Sequence, residues 1–192
     1  MNRTKKLQKI AKEIENCSIC KIGKSGMAVP GEGDPDAKIV FIGEAPGKNE
    51  SLIGRPFIGR SGRLLRSKIK EIGLKEDGVF ITSPVKYLPN RKTPDSKDIE
   101  HGRIHLLKQL EIINPKIIVL MGRVAALGVL NEKISPLKSH GNEVLRDNKI
   151  HFITFHPAAA MRFPKIRKLF EKDFKKLKLL IDKYKINLQN KA

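Results

Sequence analysis

Residues 38–62 read Lys-Ile-Val-Phe-Ile-Gly-Glu-Ala-Pro-Gly-Lys-Asn-Glu-Ser-Leu-Ile-Gly-Arg-Pro-Phe-Ile-Gly-Arg-Ser-Gly. From Lys38 to Gly43 the run is apolar without alternation, which suits a strand covered on both faces. The twenty residues from Gly43 to Gly62 then hold five glycines and two prolines, too much fixed backbone for a simple connector. Glycine lets a main chain approach a ligand closely and proline holds its path. The loop is not a phosphate-binding P-loop, because G-x-x-x-x-G-K-[ST] is absent.

Outward from this segment, apolar runs and amphipathic stretches alternate. Residues 1–37 predict a helix to about Glu15, a Cys17-Ser-Ile-Cys20 turn and a Gly/Pro-rich loop. A helix is expected from about Gly62 to Ile72, a second strand at Val79–Thr82, and a Pro-rich loop from Pro84 to Pro94. Asp95 or Ser96 is placed to cap a helix running to Ile113. Ile117–Met121 is the third strand, Val124–Leu130 a short helix, and His151–Phe155 the fourth strand. A basic amphipathic helix from about Lys165 closes the chain, with Leu169, Phe170, Leu177 and Leu180 on its apolar side. This order predicts an α/β fold, three layers α/β/α around a mostly parallel four-stranded sheet, with one domain spanning 1–192. The crevice outside the carboxyl ends of the strands would gather Gly43–Gly59, Ser83–Arg91, Met121–Arg123 and His156–Arg162.

Composition narrows the partners. The 192 residues include 39 Lys and Arg against 20 Asp and Glu, a formal charge of +19. That excess favours a polyanion, through release of counterions from neutralised phosphates. An apolar run of the ~20 residues that span a bilayer is missing, and residues 1–14 form a helical stripe instead of a signal peptide. A cytoplasmic protein without a membrane partner is the expectation. Two cysteines spaced C-x-x-C suit a redox pair or part of a metal site.

Motifs now add to the pattern. Gly43-Glu-Ala-Pro-Gly47 with Gly54-Arg-Pro-Phe-Ile-Gly59 and Gly62 resembles motif A of the family 4 uracil-DNA glycosylases, and His156-Pro-Ala-Ala-Ala-Met-Arg162 resembles their second motif. Gly31-Glu-Gly-Asp-Pro35, Phe80-Ile-Thr-Ser-Pro-Val-Lys86 with Asn90-Arg91, and Pro115 to Arg123 continue the likeness in order, over roughly Cys17 to Pro164. The resemblance implies hydrolysis of the N-glycosidic bond of deoxyuridine in DNA, by a monomer that flips the nucleotide into its pocket. It places Glu44 and His156 in catalysis: Glu44 to orient water and offset the oxocarbenium charge, His156 to stabilise the departing uracil through O2. It places Gly43, Ala45, Phe57, Ser83 and Asn90 at the base, with Phe57 stacking on it. Glu50 matches a motif A glutamate beside the uracil C5 edge, while its residue type alone reads as a turn or surface group, like Glu32. His105, His140 and His151 read as ordinary histidines.

Two departures accompany the resemblance. The family's second strand ends in Thr-Asn, and the asparagine that reads uracil stands here as Ser83, which cannot present the paired donor and acceptor of an amide. Hypoxanthine becomes a conceivable substrate, and a nucleic-acid-binding protein of the same fold without the original activity is the second functional reading. The family also carries a [4Fe–4S] cluster on four cysteines. Cys17 and Cys20 match the first two, but Tyr87 and His101 occupy the others. A cluster, a zinc site from Cys17, Cys20, His101 and one further group, or no metal all remain open. Lys86, Arg91 and Lys92 beside the pocket, and Arg162, Lys165, Arg167 and Lys168 after the second motif, are candidate phosphate contacts, with Met161 or Arg162 able to wedge into the vacated stack.

Overall fold

In the computed structural model, which describes residues 2–91 and 93–184, the apolar runs form the middle of one sheet and amphipathic helices cover both faces. Met1, Lys92 and 185–192, the end of the basic C-terminal segment, lie outside the described residues. The chain opens with helices α1 (Arg3–Asn16) and α2 (Ser18–Lys21), short strands β1 (Lys24–Ser25) and β2 (Glu32–Gly33), and the central strand β3 (Ile39–Ile42). Helices α3 (Lys48–Ile53) and α4 (Arg60–Glu71), a 3-10 turn (Glu76–Gly78), β4 (Phe80–Thr82) and β5 (Leu88–Pro89) follow. Then come α5 (Ser96–Ile113), β6 (Ile117–Met121), α6 (Arg123–Leu130), α7 (Pro136–Ser139), β7 (Glu143–Arg146), β8 (Lys149–Thr154), α8 (Pro157–Arg162) and α9 (Pro164–Lys183).

The main sheet runs β2-β4-β3-β6-β8-β7. Its inner four strands are parallel and are the four expected from sequence. The sheet has six strands, not four, because an antiparallel strand closes each edge. Both additions lack an apolar run. β2 is two residues long and lies so close to β4 that a Cβ on Gly33, at φ +130, would stand 1.9 Å from the Val79 carbonyl oxygen. β7 is a mostly exposed edge, joined to β8 through Asp147 and Asn148, whose φ values of 51 and 56 give the left-handed pair that a two-residue hairpin needs.

Every residue of β3 and β6 is buried, and alternation sorts them between two cores. Ile39, Phe41, Ile117, Val119, Met121 and Phe152 pack with Leu65 and Ile69 of α4 and Phe170, Phe174 and Leu177 of α9. Val40, Ile42, Ile118, Leu120 and Ile153 pack with Leu7 of α1, Leu106 and Leu110 of α5, and Ala125 and Ala126 of α6. Asp95 caps α5 in a capping box with Asp98, and Asn114 in the left-handed conformation ends it. From β3 the chain crosses to β4 on one side, and later returns to place β6 on the other. The carboxyl ends of β3 and β6 are therefore the switch point, where such sheets open a crevice.

Candidate active site

The crevice is built on three residues that enter it from different elements. Gly43 follows β3, and its N–H donates to the Thr82 carbonyl at 2.9 Å, tying it to the end of β4. A Cβ on Gly43 would lie 2.4 Å from Phe57 Cζ and 3.6 Å from His156 Nε2, so both rings converge on this bare backbone. The Phe57 and His156 ring centres are 5.7 Å apart with planes tilted by 36°.

His156 leaves the end of β8 and is the N-cap of α8, where its Nδ1 accepts the Ala158 N–H at 3.2 Å. With Nδ1 an acceptor, the proton of the neutral ring belongs on Nε2. Nε2 is buried without a partner among the described residues. Burial pushes the imidazole down to about 4, against a weaker upward pull from Glu50. The side chain is therefore a neutral donor at physiological pH, with its Nε2–H unclaimed among the described residues and close to the backbone of Gly43.

Phe57 occupies the left-handed region at φ 53, a conformation that costs a non-glycine residue about 1–2 kcal/mol. Three contacts hold it there. The Phe57 carbonyl accepts from Arg66 Nε at 3.0 Å. Gly62 presses on the same peptide, since a Cβ there would stand 2.0 Å from the Phe57 carbonyl carbon and oxygen. The buried carboxylate of Glu50 accepts from the next two amides, Ile58 N–H at 2.9 Å and Gly59 N–H at 2.8 Å. Glu50 thus orders the loop, a role its residue type did not announce. Glu32 binds Arg55 and Arg66 and joins the same scaffold.

The other expected site residues divide. Glu44 is half-buried, and burial raises its carboxyl above the usual carboxylate range, opposed by the charge of Arg123. Ser83, one residue beyond the Thr82 carbonyl that anchors Gly43, is buried and donates its hydroxyl to the Val85 carbonyl at 2.7 Å. Its lone pairs are left to act as acceptors. Ala45 packs on Val85, Ile99 and Val124. Asn90 is exposed, on the two-stranded ribbon of β1 and β5, with its N–H on the Gly23 carbonyl.

Lys86 requires correction: it does not reach DNA. Its side chain is 1 % exposed, and Nζ donates to Thr82 Oγ1 and Gln109 Oε1 at 2.7 Å and to the Pro30 carbonyl at 3.1 Å. Burial lowers this amine to about 7. Replacing Lys86 with alanine is expected to lower the thermal midpoint by removing a buried polar junction, while the slope of log affinity for DNA against log salt stays unchanged. Arg162→Ala, by contrast, should reduce that slope by about one.

Met161 and Arg162 are exposed and border an open groove of about 720 Å³, together with Lys48, Asn49 and Arg60. Lys48 and Arg60 both lie within the Gly43–Gly62 segment, where residue type alone does not mark them as groove residues. Arg91 stands elsewhere, at a cavity of about 270 Å³ that Cys20 and His101 also line.

That second cavity adjoins a distinct group. Cys17, Cys20, His101 and His105 bring their ligand atoms within 4.8 Å of one another, a set that can hold a metal ion. Cys17 Sγ lies 3.1 Å from His101 Nε2. His105 is not the ordinary histidine expected: it is 7 % exposed, and neither ring nitrogen has a hydrogen-bond partner among the described residues. Tyr87 directs its hydroxyl to the Ile14 and Glu15 carbonyls at the end of α1, at 3.4 Å from each. Two thiols and two imidazoles do not fit a four-thiolate [4Fe–4S] cluster.

At the switch point of this α/β sheet an aromatic ring and a neutral imidazole donor thus meet over the bare backbone of Gly43. The model of the uracil DNA glycosylase superfamily matches residues 30–178, and the chain belongs to that superfamily, in its type-4 branch. Curated relatives named type-4 uracil-DNA glycosylase include those of Sulfurisphaera tokodaii, 44% identical over 91% of this chain and 84% of the relative, and Saccharolobus solfataricus, 40% identical over 96% and 90%. The namesake of Archaeoglobus fulgidus is 40% identical over 89% of this chain and 91% of its own.

Proposed function

We propose that this protein excises uracil from DNA by hydrolysing the N-glycosidic bond, leaving free uracil and an abasic site. The observation that carries this reading is the convergence of Phe57 and His156 Nε2 on the bare backbone of Gly43. A nucleotide flipped from the stack presents its base to that slot, with the Phe57 ring against one face. Cleavage builds positive charge on the sugar and negative charge on the departing base. The His156 Nε2–H then donates to uracil O2, where the anion develops, at a group already oriented and desolvated. The Glu44 carboxylate orients the water that attacks the sugar carbon and offsets the oxocarbenium charge.

Ser83 gives the base-reading edge a direction. Because its proton goes to the Val85 carbonyl, the hydroxyl oxygen keeps its lone pairs, and our reading makes it the acceptor that meets the base. Uracil N3 carries a proton and cytosine N3 does not, so an acceptor alone still separates the two bases. Hypoxanthine carries an equivalent N–H, so it tests how far Ser83 relaxes the selection. The groove beside the slot, with Lys48, Arg60 and Arg162 at its edge and Met161 as wedge, receives the backbone on either side of the flipped nucleotide. No helix among the described residues is long and apolar enough to cross a membrane. We read the protein as one cytoplasmic domain acting as a monomer, which its mass in solution with and without an oligonucleotide checks.

The experiment that tests this reading is excision from matched oligonucleotides carrying one uracil, hypoxanthine, xanthine or cytosine. Uracil is expected to be released fastest, hypoxanthine more slowly and cytosine not at all. Steeply salt-dependent DNA affinity with no abasic product would instead mark the binding protein of the same fold.

A further inference from the structure

We propose that Cys17, Cys20, His101 and His105 form a closed, mononuclear Cys2His2 zinc site, standing where the resemblance calls for an iron–sulfur cluster. The inference starts from two sequence spacings that the fold brings together. Cys17 and Cys20 flank the first turn of α2, where the Cys20 N–H already donates to Cys17 Sγ at 3.5 Å. His101 and His105 are four residues apart on α5, hence on one face of that helix. Their rings meet edge to face with centres 5.7 Å apart. C-x2-C facing H-x3-H is a donor pattern of structural zinc sites.

Size decides between one metal ion and a cluster. Four ligands on one tetrahedral zinc, at about 2.3 Å for sulfur and 2.0–2.1 Å for nitrogen, place their donor atoms about 3.3–3.8 Å apart. The four donor atoms here lie within 4.8 Å of one another before any metal draws them in. A two-iron or four-iron cluster divides its terminal ligands among separate irons and spreads them further. Charge agrees: Zn²⁺ with two thiolates and two neutral imidazoles carries no net charge, which suits a pair of buried ligands. The unpartnered nitrogens of buried His105 are the independent sign of a missing partner, because a buried imidazole without one is costly.

The surroundings fix the ligands from outside. Lys24 of β1 pairs with Asp98 of the α5 capping box, holding the ribbon against the first turn of the histidine helix. Tyr87 packs with Ile10, Ile14 and Cys20 and fills space beside the site as a wall, not as a ligand. Zinc at this position staples the α1–α2 segment to α5 and takes no part in cleavage.

The test is metal analysis of untagged protein as purified, which reads independently of any glycosylase activity. About one zinc per chain is expected, with less than about a tenth of an iron and no acid-labile sulfide. Replacing zinc with Co²⁺ should produce the visible bands of a tetrahedral thiolate site. His105→Ala should lose most of the zinc and lower the thermal midpoint. His105→Cys should keep about one zinc as a Cys3His site, with thiolate-to-cobalt absorbance raised about 1.5-fold. Tyr87→Phe should keep full zinc. Iron and sulfide near four each per chain would overturn the proposal, as would metal-free protein that gives no tetrahedral Co²⁺ spectrum, or unchanged zinc in His105→Ala.

Discussion

His156→Ala should lower the single-turnover rate of uracil excision by about 10²–10³-fold, the usual effect of losing one preorganised donor to a developing oxyanion. Affinity for DNA should change little, because no basic residue of the groove is altered. His156→Asn retains a donor and a good N-cap, and is expected to recover part of the rate and the roughly 1 kcal/mol that the cap contributes. The ring also predicts a pH effect whose sign follows from burial. An ordinary histidine titrates at 6.5, but this one is held down to about 4. Between those values the unfolded chain binds a proton that the folded chain refuses, so stability falls as pH drops from 6.5 toward 4 and is fully restored above 6.5. His156→Ala should flatten that slope in denaturant titrations. Wild-type excision should show no step near pH 6.5 assignable to this group; acid loss of rate belongs to protonation of Glu44, at a pH above the ordinary carboxylate range.

Glu50→Ala should be the more damaging change for stability, by on the order of 3 kcal/mol, because two amides lose a charged acceptor in a buried setting. Ile58 N–H and Gly59 N–H both bond to Glu50 Oε1, and Gly59 leads directly into α4. Without them the left-handed Phe57 can relax, and the aromatic face leaves the slot. The denaturant midpoint should fall and KM for uracil-containing DNA should rise together. Glu50→Gln keeps a carbonyl acceptor in the same place and should restore most of the stability. Loss of activity with full stability in Glu50→Ala would show that the carboxylate meets the base and does not hold the loop.

The inner sheet was legible because strands buried on both faces leave short, continuous apolar runs. Lys38–Gly43 and Ile117–Met121 are of that kind, whereas Glu143–Arg146 is an exposed edge whose pairing comes from a hairpin turn. Gly43, Phe57 and His156 converge because the carboxyl-end rule for parallel sheets needs only strand order. The errors share a different cause. A lysine in a loop reads as solvent-facing, yet Lys86 donates to three buried oxygens whose positions depend on Pro30, Thr82 and Gln109. His105 reads as ordinary because the two thiols it meets lie more than eighty residues away in sequence, and its spacing from His101 is the one local signal. The role of Glu50 depends on the path of the loop after it, which no residue type records.

The central claim is that the slot at Gly43 breaks the bond between uracil and deoxyribose. Its most direct test is to incubate the purified chain with an oligonucleotide containing one deoxyuridine, then measure free uracil by mass spectrometry and abasic sites by alkaline strand cleavage. Equal amounts of uracil and abasic site, dependent on His156, are the predicted result. Folded protein that binds the oligonucleotide and releases no uracil would contradict it.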